Sequence, residues 1–386
     1  MNTTPFPLPS VPVARPSGGA HRRLLVGVAT CLACLGAPCV GAEPDGRAID
    51  RLPVRGLHLS GPGKGEVAAL VGFIRGPLSQ AGVNTLVLEF GYRFDYQSRP
   101  EFADPSAPGK AEVREILTAC RENGIELIPQ INCLGHQSWA KRNDRLLQKH
   151  PEFDETPGKY PDNEGIYCRS YCPRHPEVHA VLFDLIDELA VACEAKAFHV
   201  GLDEVFILAD PDCPRCRGED PAVLFADEVG RLHAHLKEIG CRTWLWGDRF
   251  LDGSATGLGK WEASENGTQG SMDRVPKDLV VCDWHYNNAP ETARLFAEKG
   301  FDVVSCPWRK PDVALAQLKE LQGLRAGHDP AVAAHALGML QTTWCGPSRF
   351  AGALGDLKPG EPVSGNSGSE SANCFLTLFN AIRENP

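Results

Sequence analysis

The sequence predicts an α/β protein built as a single (β/α)8 TIM barrel. From residue 53 onward, short runs rich in Val, Ile and Leu alternate with segments of helical period. Eight apolar runs occur, which favours a closed barrel over an open doubly wound sheet. No Gly-x-Gly-x-x-Gly follows the first of them, which weakens a dinucleotide-binding sheet.

In order, the strand candidates are 54–60, 84–90, 125–132, 197–203, 241–247, 278–284, 301–306 and 337–344. Near-continuous apolar strands of this kind are buried on both faces, as parallel strands under helices are. Helix candidates fall near 65–81, 110–123, 175–195, 221–239, 288–299, 311–324 and 371–383. The clearest is 175–195, where Val178, Val181, Leu182, Leu185, Ile186 and Leu189 recur at three and four residues and Pro176 suits a first turn. The fifth helix, between 248 and 277, is poorly defined, and 353–370 reads as loop. Long insertions follow strand 3 (133–174), strand 4 (205–220) and strand 5 (248–277). They fall on the C-terminal face, where barrel enzymes place their sites.

Residues 1–42 read as an export signal with a Pro-rich leader, and 43–386 as the barrel. His21-Arg22-Arg23 precedes the apolar run Leu24 to Val40, and Val40-Gly41-Ala42 offers a cleavage site. The run is too short to favour a stable membrane span, though a retained anchor is the alternative. The arginine pair leaves both general and twin-arginine export open, to the periplasm or the medium. Cleavage would remove three arginines and no acid, taking the net charge from −10 to −13. That excess of acid excludes nucleic acid as a natural partner and points to a neutral small molecule or glycan.

Twelve of the 15 cysteines lie beyond residue 42. Those inside apolar runs read as buried thiols. Cys168, Cys172, Cys213 and Cys216 lie in polar, loop-like sequence, and either disulfides or a structural four-thiolate zinc site would suit them. Neither would be catalytic, because a closed site has no position for water. No catalytic cofactor or metal is expected.

The chemistry concentrates at one end of the inferred barrel. The fourth run, Phe198-His199-Val200-Gly201-Leu202, ends in Asp203-Glu204. Alternation puts His199, Gly201 and Asp203 on one face, with Glu204 turning over the mouth. Adjacent carboxylates in unlike surroundings can divide labour, one ionised and one held protonated as an acid. A solvated loop is the plainer account of an Asp-Glu pair, but here the pair closes an apolar strand. Arg55 is on strand 1, Glu89 on strand 2, and Asn132 and His136 follow strand 3. Trp246 and Asp248 end strand 5, and Asp283, Trp284, His285 and Tyr286 end strand 6. Trp308 and Trp344 follow strands 7 and 8. Trp is often core, yet this crowding at one end suits a pocket where sugar faces stack.

These residues resemble glycoside hydrolase family 20, the β-N-acetylhexosaminidases, and most nearly the hexosaminidase D-like branch that lacks an N-terminal accessory domain. His199-Val200-Gly201-Leu202-Asp203-Glu204 is similar to the family's His-x-Gly-Gly-Asp-Glu, with Leu202 at the second Gly. Pro129-Gln130-Ile131-Asn132-Cys133-Leu134-Gly135-His136 looks like its Pro-Glu-Ile-Asp-x-Pro-Gly-His, and Arg55-Gly56 like its sugar-binding Arg-Gly. The resemblance covers about 53–350. It implies exo-acting, retaining, substrate-assisted hydrolysis of an N-acetylhexosamine-containing glycan or glycoconjugate. It implies that Asp203 orients the 2-acetamido group, that Glu204 is the acid and base, and that Tyr286 bonds the acetamido oxygen. Trp246, Trp284 and Trp344 would line the acetamido pocket, with Arg55, His136, His199 and Asp248 as further substrate contacts.

Asn132, Asn288 and Cys345 depart from acidic positions of the family pattern, which leaves gluco against galacto preference open. Two other readings stand beside this one: a two-carboxylate retaining glycosidase using Asp248 or Asp283 as nucleophile, and a sugar-binding barrel without turnover.

Overall fold

The computed structural model describes residues 52–358 and 365–384. The proposed export signal lies outside them. Eight parallel strands close into a barrel: β1 (Val54–Ser60), β2 (Thr85–Glu89), β3 (Glu126–Cys133), β4 (Ala197–Gly201), β5 (Arg242–Trp246), β6 (Val280–Trp284), β7 (Asp302–Cys306) and β8 (Ala336–Thr342). Each pairs with its neighbours in sequence, and β1 closes on β8 through Val54↔Gly338 and His58↔Thr342.

Side chains alternate across the strands, as the pleat requires. Leu57, Leu59, Leu86, Leu88, Leu245 and Val281 point outward into the layer beneath the helices. Val54, Val87, Ile128, Ala197, Trp244, Val280, Val304 and Leu340 fill the barrel interior, with Trp246, Cys282, Trp284 and Cys306 beside them. Each large side chain so buried contributes roughly 1.5–3 kcal/mol. The interior is apolar at the bottom and becomes polar and aromatic toward the strand ends, so the fold is stabilised from below and leaves the upper layer free for chemistry.

The helix over 65–81 is interrupted. Val67–Phe73 passes through a π-helical turn, Ile74–Leu78, before Ser79–Ala81. Pro77 lies in that turn and has no N–H to give the ladder, which accounts for the slipped register. The helix expected from 175 starts at Val178, leaving Pro176 outside it. The segment 353–370 is not all loop. One helix runs to Gly355 and the last begins at Ser367. The fifth crossover holds only short helical turns, Gly253–Thr256 and Gly259–Glu262, flanked by 3-10 turns at Asp248–Phe250 and Thr268–Ser271. Among the described residues, no helix is long and apolar enough to cross a membrane.

Candidate active site

β4 stops at Gly201, two residues before the carboxylate pair. Gly201 has φ +70°, and a Cβ there would lie 2.6 Å from Asn132 Oδ1 and 2.9 Å from its Cα. Glycine is therefore required by both conformation and space. Leu202 (φ 74°) and Glu204 (φ 48°) are also left-handed. These turns, rather than strand alternation, carry Asp203 and Glu204 over the barrel mouth. Leu202 pays about 1–2 kcal/mol for that conformation, which explains why a glycine suits the position. The β3 end turns in the same way at Leu134 (φ 61°) and His136 (φ 54°). Between them, a Cβ on Gly135 would lie 2.8 Å from the Asp203 carbonyl oxygen. The two loops thus pack backbone against backbone.

That packing brings the imidazole of His136 onto both carboxylates. Its Nε2 lies 3.1 Å from Asp203 Oδ2 and 3.2 Å from Glu204 Oε2. Burial disfavours the imidazolium, but Asp203 and Glu204 outweigh it and hold His136 well above the usual range. Asp203 Oδ1 is buried without a hydrogen-bond partner.

Behind Glu204 stands Asp248. Its Oδ2 accepts from the Glu204 amide at 2.9 Å and from Arg249 Nε at 2.7 Å, and its Oδ1 accepts from Trp284 Nε1 at 3.3 Å. Burial pushes the Asp248 carboxyl up against the pull of Arg249. The fully buried Arg249 also donates to the carbonyls of Lys260 and Ala263, which ties the 248–277 insertion to the same carboxylate.

Trp246, Trp284, Tyr286 and Trp344 gather above the interior. Trp246 and Trp344 have ring centroids 5.7 Å apart, and Trp284 and Tyr286 5.0 Å. The Trp344 indole donates to the Tyr286 hydroxyl at 2.9 Å, which leaves the hydroxyl's own proton to point elsewhere. The Tyr286 amide is directed at Glu262, whose carboxylate also bonds His285 at 2.9 Å. His285 is closed off by Asp283 at 3.1 Å and by Thr292 at 3.0 Å, so it positions the β6 end.

Several expected contacts are placed elsewhere. Arg55 lies near the start of β1, on the opposite face of the barrel, where it donates to the carbonyls of Gly82 and Leu52. Five residues of strand, about 16 Å, separate it from the end at Ser60. His199 is fully buried beneath Trp246, 4.4 Å between centroids, and accepts from the Gly201 amide. It supports the floor and does not line the mouth. Asp248 is likewise consumed by Glu204, Arg249 and Trp284. Cys168 stands apart from the other three loop thiols, its sulfur 3.6 Å from the Glu204 carbonyl oxygen.

The structure adds groups that no motif announced. A cleft of about 740 Å³ beside His136 is lined by Glu89, Arg93, Asn132, Asp144 and Arg145. Asn132 donates to Glu89 at 2.8 Å. Burial raises the Glu89 carboxyl to about 7, against the pull of His136 and with help from Asp203. At the edge of this cleft, which Trp139 also lines, Tyr167 meets Trp139, Phe206 and Trp261 at 5.7, 5.8 and 5.0 Å. Trp139 and Trp261 are 66% and 45% exposed, so this is an aromatic surface at the mouth rather than core. Arg93 comes from the loop after β2, and Asp144 and Trp261 from long insertions, all without periodicity; Glu89, at a strand end, and Asn132, in the strand-3 motif, carried a sequence signal.

A sequence profile described as the glycosyl hydrolase family 20 catalytic domain matches residues 104–313. The chain is similar to a β-hexosaminidase of Vibrio furnissii, 26% identical over 209 residues, which cover 53% of this chain and 31% of that protein. It is also similar to hexosaminidase D of Bos taurus, 26% identical over 144 residues, 36% of this chain and 38% of the relative. The chain thus spans about a third of the length of these relatives. Among solved structures it resembles a chitobiase from Flavobacterium johnsoniae, with TM-score 0.59, 18% identity and coverage of 87% of this chain and 52% of that one. A family 20 exo-β-N-acetylglucosaminidase from Vibrio harveyi, solved with N-acetylglucosamine, gives TM-score 0.52, 16% identity and coverage of 87% and 57%. Identities this low speak for the barrel fold alone. The family profile, by contrast, spans more than half of the 386 residues, and on that ground the chain belongs to glycosyl hydrolase family 20.

Proposed function

We propose that this protein is an exo-acting β-N-acetylhexosaminidase that works by retaining, substrate-assisted hydrolysis. One observation carries the reading: Asp203 and Glu204 sit side by side at the barrel mouth, and Asp203 Oδ1 is a buried acceptor without a protein donor. An acetamido N–H is the donor that such an oxygen suits. In this mechanism the substrate's acetamido oxygen attacks the anomeric carbon while Glu204 protonates the departing glycosidic oxygen. Asp203 stabilises positive charge on the acetamido nitrogen as the oxazolinium ring closes. The Tyr286 hydroxyl donates to the acetamido oxygen. Glu204, now a carboxylate, takes a proton from water, which opens the ring with net retention. Trp246, Trp284 and Trp344 enclose the acetamido group, and Glu89, Arg93 and Asp144 are placed to bind the ring hydroxyls.

The two-carboxylate alternative fares worse. Asp248 is bonded to Arg249, Trp284 and the Glu204 amide, and Asp283 to His285 and Thr292. Neither buried group is presented as a nucleophile.

The test is hydrolysis of 4-nitrophenyl N-acetyl-β-glucosaminide, its galacto epimer and the plain β-glucoside, with Glu204→Gln alongside. Turnover restricted to acetamido sugars, falling about 10²- to 10⁴-fold in the variant, is expected. Equal turnover of the plain glucoside would overturn acetamido participation. Absence of turnover, with an N-acetylglucosamine-thiazoline still binding, would identify a binding protein. An exported location, periplasmic or extracellular, is proposed from the Arg22-Arg23 and Leu24–Val40 pattern and is tested by cell fractionation.

A further inference from the structure

Three loop cysteines and one glutamate converge away from the carboxylate pair. Each of Glu155, Cys172, Cys213 and Cys216 offers one ligand atom, and the four atoms lie within 4.8 Å of one another. Cys213 Sγ is 3.5 Å from Cys172 Sγ and 3.3 Å from Glu155 Oε2, and Cys216 Sγ is 2.8 Å from Glu155 Oε1. All four residues are fully buried. A carboxylate and three sulfurs turned toward one point are poorly satisfied by each other: thiols are weak donors, and a buried carboxylate costs several kcal/mol unless well paired.

Within Cys213-Pro214-Arg215-Cys216 both sulfurs reach the same carboxylate, that of Glu155. A disulfide would use two of the three thiols and leave the third beside a buried carboxylate. A tetrahedral ion about 2.3 Å from each sulfur holds its ligands roughly 3.5–3.8 Å apart; the Cys172–Cys213 and Cys213–Glu155 spacings, 3.5 and 3.3 Å, are near this, while Cys216 and Glu155, 2.8 Å apart, would open to admit it.

We propose that Glu155, Cys172, Cys213 and Cys216 form a structural zinc site. The fourth ligand is Glu155, and Cys168 is not part of it. Binding displaces the thiol protons to solvent and leaves no open position, so the ion does no chemistry on substrate. Its work is to clamp two insertions together. Glu155 and Cys172 belong to the insertion after β3, which delivers His136. Cys213 and Cys216 belong to the insertion after β4, which begins at Asp203-Glu204. Asp210 N already donates to Glu155 Oε1 at 3.1 Å, and Glu155 N to the Ser170 carbonyl at 3.0 Å, so the ion would complete an existing seam.

The experiment is metal analysis of the full-length protein, purified without chelator and dialysed against metal-free buffer, beside Glu155→Ala, Cys213→Ser and Cys168→Ser. About one zinc per chain is expected in the wild type and in Cys168→Ser, falling at least tenfold in the other two. Replacement by cobalt should give the intense visible bands of a tetrahedral thiolate site. Should the ligand variants be insoluble, mercurial titration of the wild type serves instead: zinc should be released in step with the buried thiols. A wild type without metal even after refolding in zinc would overturn the proposal. So would full zinc in soluble Cys213→Ser, or peptide mapping that shows Cys172 disulfide-bonded to Cys213 or Cys216.

Discussion

The amide of Glu204 donates to Asp248 Oδ2 at 2.9 Å, and the same carboxylate is reached by Trp284 Nε1 at 3.3 Å. One buried group therefore sets the backbone that carries the proposed acid and the ring that walls the proposed acetamido pocket. Asp248→Asn should lower kcat about 10- to 100-fold with little change in KM, because the variant misplaces Glu204 without removing a sugar contact. Asp248→Ala should also destabilise the fold by roughly 3–5 kcal/mol, since Arg249 is left as an uncompensated buried cation. A KM effect alone in Asp248→Asn would contradict a positioning role.

His136 bridges Asp203 and Glu204 as an imidazolium. Burial works against that charge, and the two carboxylates raise it well above the usual range. Replacing it with Phe leaves adjacent carboxylates without their cation, so the acid limb of kcat/KM should move to higher pH by on the order of one pH unit. His136→Gln, which keeps a donor but no charge, should move it similarly. An unmoved profile in both variants would mean that the ion pair does not govern the pair's protonation.

His285 makes stability depend on alkaline pH. Burial lowers its affinity for a proton, but Asp283 and Glu262 prevail and bring it from 6.5 to about 9. Because the folded value lies above the unfolded one, the contribution is complete below about pH 6.5 and is lost as pH rises to about 9. Its size is on the order of 3 kcal/mol. Thermal unfolding between those limits should show the decline in wild type and a flatter course in His285→Gln. Parallel curves would exclude His285 as the source.

The rings of Tyr167 and Trp261 line a second cleft with Phe206, apart from the Glu89 cleft, where a leaving sugar would pass. Trp261→Ala should raise KM for a β-linked N-acetylglucosamine disaccharide about threefold to tenfold, in keeping with roughly 0.5–1.5 kcal/mol for one aromatic contact. It should leave a small alkyl N-acetyl-β-glucosaminide nearly unaffected. Equal effects on both substrates would remove the platform from the leaving-group side.

The sequence by itself determined the barrel. Short, near-continuous apolar runs and helical stripes depend on neighbours a few residues away, and all eight strands lie where those runs are. It also determined the Asp203-Glu204 pair, because a polar dipeptide closing an apolar strand is visible locally. Tertiary structure decided the rest. Strand direction put Arg55 on the face opposite the site, although its motif looked right. Left-handed turns at Gly201, Leu202 and Glu204, rather than the pleat, aimed the carboxylates. Asp248 became a support because Arg249 and Trp284 reached it, and Glu155 replaced Cys168 beside three thiols because the first two long insertions fold against each other. Such pairings join residues tens of positions apart in segments without periodicity, and only the closed packing of the chain brings them together.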